Sequence, residues 1–196
     1  SAASDVYKRQ RYFSFEDDEF GSVAPKGFTT VDADHKATVQ PLMINYPNIG
    51  NAYAYIVINQ QPEPEGADWR NIYPRSGDQL LATMATADGT EAVDWIISDQ
   101  MTARNDAKFR FYAKSYDGDN TYHPWAYLTV LVSTTDNAVS SFTPLSGFTS
   151  VQVPHKNNND SQTSWTEFDV DLSAYAGQKI YICLLYTSPS PRDCSY

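Results

Sequence analysis

Cysteine is nearly missing from this 196-residue chain: the two that occur, Cys183 and Cys194, lie close to the C-terminus. Residues 1–182 therefore contain no disulfide framework, and cysteine usage says nothing about compartment. Basic residues are scarce, with 14 Lys and Arg against 24 Asp and Glu and a net charge of −10. Such a balance excludes a continuous basic face, which argues against nucleic acid and anionic membranes as partners and favours a hard cation, calcium. No apolar run approaches the roughly 20 residues of a membrane helix, so no membrane insertion is expected of this segment. There is no Gly-x-Ser-x-Gly elbow, no His-Glu-x-x-His helix and no Gly-rich phosphate loop, and His35, His123 and His155 sit in separate polar segments. The chain thus reads as non-enzymatic. The one catalytic arrangement left open is a pair of carboxylates about 5 Å apart, which is all a retaining glycosidase requires.

The two ends read as translated sequencing adapter. Codons available to Cys183–Ser188 are the reverse complement of codons available to Asp5–Gln10, a relation that a basic tail and a Pro/Ser-rich linker would not have. Residues 1–10 and 183–196 are accordingly assigned to adapter, and residues 11–182 to a metagenomic fragment of one domain expected to continue on both sides. Without Lys8, Arg9, Arg192, Asp5 and Asp193, 11 basic residues face 22 acidic ones, a balance of −11. About 170 residues suffice for a single domain with a substantial core.

What is present is period-2 alternation. Phe109, Phe111 and Ala113 share one face of Lys108–Ser115; Leu128, Val130 and Val132 share one face of Ala126–Ser133; Thr166–Leu172 alternates apolar with acidic residues. Weaker strand candidates are Tyr12–Glu16, Ala52–Ile58, Gln79–Met84, Val93–Ser98 and Lys179–Ile182, separated by turn-rich stretches. No long helical period competes, and 14 Tyr, 9 Phe and 4 Trp favour strands. Many short strands with irregular turns predict an all-β fold, an antiparallel jelly-roll β-sandwich. Its interior is expected to join Phe109, Phe111, Leu128, Val130, Phe168 and Val170. Gln60–Ser76 and Val153–Thr163 read as long polar loops.

Five segments occur in a telling order: Phe15-Glu16; Pro25–Asp34, reading Pro-Lys-Gly-Phe-Thr-Thr-Val-Asp-Ala-Asp; Asp94-Trp95-Ile96-Ile97-Ser98; Val130–Thr135; and Asp171–Gln178, reading Asp-Leu-Ser-Ala-Tyr-Ala-Gly-Gln. Together they make the chain resemble the cleaved-adhesin, or choice-of-anchor J, domain family over nearly all of 11–182. The resemblance implies a jelly-roll sandwich similar to carbohydrate-binding modules and MAM domains. It also implies a secreted or cell-surface, outer-membrane-associated protein of Bacteroidetes, of the kind that includes the haemagglutinin regions of gingipain proteases. Two departures stand out: Phe28 replaces the usual Trp after Gly27, and Asp99 replaces the usual Pro after Ser98.

Related jelly rolls hold a structural calcium where the first strand meets a late one. The resemblance therefore makes Glu16 and Asp171 the first candidate ligands, followed by Asp18, Asp32, Asp34 and Asp169, which belong to acidic clusters or acidic strand faces. Solvated surface charge is the alternative for all six. Asp117-Gly118-Asp119-Asn120 lacks the full spacing of a calcium loop and reads as a hairpin turn. Trp69, Tyr73, Tyr122, His123 and Trp125 lie in or beside candidate loops, where flat rings can stack on the apolar face of a sugar; sheet packing is the alternative. Trp95 and Trp165 sit within strand patterns and read as structural. The sequence thus points to a non-catalytic adhesion or carbohydrate- or protein-binding module whose partner is a glycan or a host surface protein. A structural spacer beside a peptidase domain and a jelly-roll glycoside hydrolase are the alternatives.

Overall fold

The computed structural model describes residues 11–40, 45–59, 74–116, 126–156 and 165–188. Among them, the strands in chain order are β1 Phe28–Asp32, β2 Ile56–Asn59, β3 Gln79–Ala82, β4 Ala92–Ser98, β5 Met101–Thr102, β6 Lys108–Ala113, β7 Ser115–Tyr116, β8 Tyr127–Ser133, β9 Thr143–Pro144, β10 Val151–Gln152, β11 His155–Lys156, β12 Thr166–Asp171 and β13 Lys179–Ser188. Two three-residue 3-10 turns, Val139–Ser141 and Ser173–Tyr175, interrupt them.

The fold is an antiparallel β-sandwich of jelly-roll type. Its larger layer is a sheet in the order β1-β4-β13-β8-β10, with β5 also on β13 and β9 also on β8. The facing layer consists of two antiparallel pairs, β2–β3 and β6–β12. A two-residue parallel pairing of β7 with β11 stands apart from this pattern.

Alternation explains the layering. Val130 and Val132 of β8 and Ile180 and Ile182 of β13 point inward and pack with Val170, Leu172, Phe109 and Phe111. Directly opposed in register, Phe111 and Phe168 stack with ring centroids 4.9 Å apart and planes 8° from parallel. Further along the same inner face, Ala92, Ile96, Leu128, Leu184 and Tyr186 meet Ala54, Tyr55 and Leu81. The expected interior is therefore present, with Leu128 in this second cluster. The sheet's other face is apolar as well, since Ile97, Leu131 and Cys183 are closed over by Phe142. A satellite cluster beneath β2, built from Ile56, Ile58, Tyr46 and Tyr53, covers the far side of the smaller layer.

The solvent face of β6–β12 explains the acidic alternation of β12. Asp169 lies opposite Arg110, and Asp171 opposite Lys108. Opposite charges across a strand pair stabilise its register, whereas like charges oppose it.

Two expectations need adjustment. Tyr12–Glu16 is not a strand: Phe15 has a positive φ of 63°, incompatible with extended backbone, and the segment is tied down by separate side-chain contacts. β13, expected over Lys179–Ile182, continues to Ser188 and pairs with β4 and β8 on its two sides. The residues read as adapter-encoded, Cys183–Ser188, alternate in the required sense, with Leu184 and Tyr186 inward and Cys183 and Leu185 outward. β1, which had only the family resemblance to suggest it, pairs with β4 over its whole length.

Ile180 is fully buried in the inner cluster, so Ile180→Ala removes transfer free energy and leaves a cavity. It is expected to lower unfolding stability by about 2–5 kcal/mol in urea titrations, whereas Thr29→Ala, at an exposed edge position, changes it by less than about 0.5 kcal/mol. Equal effects of the two substitutions would contradict this core.

Candidate metal centre

The register of β1 on β4 places Asp32 directly opposite Asp94, two like charges on one cross-strand pair. Asp94 follows the inward alternation of Ala92 and Ile96, and its side chain is buried, with 2% relative exposure. Just past β1 the chain bends back. The Ala33 N–H donates to the Val93 carbonyl, and the Val93 N–H donates to Asp34 Oδ2 at 2.7 Å, which carries a third carboxylate to the same place. One oxygen from each of Asp32, Asp34 and Asp94 lies within 4.8 Å of the others.

Each carboxylate accepts a hydrogen bond, two of them from consecutive N–H groups just past β1. The His35 N–H donates to Asp32 Oδ1 at 2.7 Å, the Lys36 N–H to Asp34 Oδ1 at 2.9 Å and the Thr83 hydroxyl to Asp94 Oδ2 at 3.0 Å. These bonds fix the oxygens without neutralising them, and none of the ion pairs among the described residues includes these three groups. Lys36, the nearest cation in sequence, pairs instead with Asp88.

Electrostatics follows from this geometry. Burial pushes the Asp94 carboxyl up to about 8; the Thr83 hydrogen bond opposes the rise, and the charges of Asp34 and Asp32 add to it. Beside it, Tyr186 is pushed up to about 12, chiefly by burial. The Tyr55 hydroxyl is raised for the same reason, and Asp94 adds to both shifts. An ionised Asp94 therefore needs a compensating charge, which either a proton or a metal ion supplies.

The donor set fits a hard cation. Carboxylate oxygens suit calcium, and each has two lone pairs, so one hydrogen bond leaves capacity for a metal. Sequence reasoning named Asp32 and Asp34 but missed Asp94. The signal was present, because a carboxylate at an inward position of Ala92–Ser98 breaks the apolar alternation.

The other candidate ligands lie elsewhere. Glu16 accepts backbone N–H groups of Asp78 and Gln79, and Asp18 Oδ1 accepts the Lys26 N–H at 2.8 Å. Asp169 takes a 2.8 Å hydrogen bond from Arg110 and pairs with Lys108; the Arg110 bond is the main reason its carboxyl lies below the ordinary value. Asp171 accepts the Ser173 N–H at the start of the second 3-10 turn, which lowers its carboxyl too. First-ranked Glu16 and Asp171 thus accept backbone hydrogen bonds, from the start of β3 and from Ser173, and are not part of the acidic trio. Trp69, Tyr73, Tyr122, His123 and Trp125 fall outside the described residues. Trp95 is half-buried, with its ring 6.4 Å from Phe142, and Trp165 lies under the Lys114 ammonium. Asp99, in place of the expected proline, donates its N–H to the Gly27 carbonyl and pairs with Arg11 at 3.1 Å.

No protein-family model matches the chain, and no curated protein matches it. Among solved structures, it is similar to the K1 cleaved adhesin domain of Lys-gingipain from Porphyromonas gingivalis W83. That match has 18% identity and a TM-score of 0.49, over 90% of this chain and 91% of that one. The K3 cleaved adhesin domain of the same protein is similar at 12% identity and a TM-score of 0.39, over 87% of this chain and 94% of that one.

The raised Asp94 carboxyl has a pH signature. A folded-state value above the unfolded one means that the native state binds the extra proton between about pH 4 and pH 8. Stability from this residue is therefore greatest below that window and falls as pH rises through it, by at most about 1.4 kcal/mol per pH unit. In metal-free buffer, Asp94→Asn is expected to flatten the decline between those limits in urea titrations. Identical pH slopes in the two proteins would contradict the buried acid.

Proposed function

We propose that this sandwich is a non-catalytic adhesion module of the cleaved-adhesin type, from a secreted or surface-displayed bacterial protein. It binds a glycan or a host surface protein, and a calcium ion held by Asp32, Asp34 and Asp94 stabilises its sandwich. The observation that carries the reading is where the resembling segments lie. Pro25–Asp34 contains β1, Asp94–Ser98 is the part of β4 it pairs with, Val130–Thr135 begins in β8 of the same sheet, and Asp171–Gln178 leads into β13 between β4 and β8. Four of the five segments chosen for their order along the chain thus lie in or lead into one sheet, and two of them supply the acidic trio.

The calcium would offset the mutual repulsion of the three carboxylates, one of them buried, and fix the junction of β1 with β4. Its role is structural. Recognition is assigned to Trp69, Tyr73, Tyr122, His123 and Trp125, because planar rings desolvate the C–H face of a sugar while polar neighbours orient its hydroxyls.

Calcium is expected to raise the thermal midpoint relative to EGTA in the full chain, since a ligand that binds only the native state stabilises it by mass action. Asp94→Asn is expected to abolish that increment, and an unshifted midpoint in the unaltered chain would remove the metal from the account. For recognition, glycan-array and host-protein binding should be lost on Trp69→Ala and Trp125→Ala. Undiminished binding would move the site elsewhere, and no binding by the unaltered chain would favour a spacer.

A further inference from the structure

The corner at Glu16 and Asp18 is where the resemblance leads one to expect calcium, yet its oxygens already have donors. The Gln79 carboxamide Nε2 donates to the Phe15 carbonyl at 2.7 Å and to the Asp18 carbonyl at 2.9 Å, so one nitrogen satisfies two convergent backbone oxygens. Between these carbonyls, the Glu16 side chain crosses to the start of β3. There Oε1 accepts the N–H groups of Asp78 and Gln79, both at 3.1 Å, and Oε2 also accepts from Asp78 at 3.2 Å. Gly77 makes that approach possible. Its φ is +69°, and a Cβ there would overlap Glu16 Oε1. Asp18 Oδ1 is in turn held by the Lys26 N–H. Backbone N–H dipoles converging on a carboxylate stabilise its ionised form without cancelling its charge. A cation drawing on both carbonyls would have to displace the Gln79 amide that lies against them.

We infer that Gln79 occupies the position a cation would take at this corner, and that the segment 15–18 is fastened to β3 without metal. Gln79 is a positioning residue: its side chain holds the carbonyls on either side of Glu16 while its own backbone N–H helps hold the Glu16 carboxylate. The inference is independent of whether Asp32, Asp34 and Asp94 take calcium, because the two places have separate reporters.

Amide hydrogen exchange on the full chain distinguishes them. The N–H groups of Lys26 and Asp78 report on the corner, those of His35 and Val93 on the acidic trio, and that of Ile182, bonded to Ser98 Oγ in the core, on global integrity. Lys26 and Asp78 are expected to exchange equally fast in calcium and in EGTA. Gln79→Ala, which removes both side-chain bonds, is expected to quicken them roughly ten- to hundredfold while Ile182 is unchanged. Gln79→Glu keeps the size but turns the donor into an acceptor facing two carbonyls, and is expected to quicken them at least as much. Slower exchange of Lys26 and Asp78 on adding calcium to the unaltered chain would overturn the inference. So would unchanged exchange at both amides in the two variants.

Discussion

Everything in this molecule depends on two apolar sheet faces closing on each other. β8 and β13 contribute alternate valines, isoleucines and leucines to the larger sheet, and β6–β12 and β2–β3 provide the opposing layer. Burial of this kind is non-directional, and it tolerates a polar group on the inward face only where that group is compensated. Asp94 is the exception that the rest of the site must accommodate. It lies on the same face as Ala92 and Ile96, opposite Asp32, and is fixed by the Thr83 hydroxyl. The cost of that position makes the junction of β1 and β4 a place for a proton or a cation, not merely a sheet edge.

The carboxylates of the chain divide by what compensates them. On the solvent face of β6–β12, Glu167 and Asp169 are met by Arg110, and Asp169 also by Lys108, in high-dielectric surroundings where such pairs contribute little beyond register. Glu16 is met by backbone N–H groups that follow Gly77, and Asp171 by the Ser173 N–H that opens a 3-10 turn. Only Asp32, Asp34 and Asp94 converge, among the described residues, without an ion-pair partner. An acidic composition that looks uniform in the sequence therefore resolves into several kinds of site, one of which is suited to a hard cation.

Much of this was legible from period-2 alternation. Lys108–Ser115, Ala126–Ser133 and Thr166–Leu172 read as strands because each has one apolar and one polar face, and they form β6, β8 and β12. β1 was harder to see, since Phe28–Asp32 is short and half-exposed and owes its existence to pairing with β4. Tyr12–Glu16 misled for the opposite reason. Its aromatics alternate, but Phe13 and Phe15 both contact the Phe28 ring from an irregular segment, and the left-handed Phe15 precludes a strand. Of the metal candidates, local clustering found Asp32 and Asp34, whereas Asp94 depended on a register between residues some 60 positions apart, which a local reading does not contain.

The account is tested most directly by the charge state of one atom group. The Asp94 Cγ resonance, followed by carbon-13 NMR at neutral pH, reports whether the carboxyl is protonated. The account predicts a protonated Asp94 in EGTA that becomes ionised on addition of calcium, with Thr83→Ala perturbing the resonance in both states. An Asp94 that is ionised at neutral pH in EGTA, and unmoved by calcium, would contradict it.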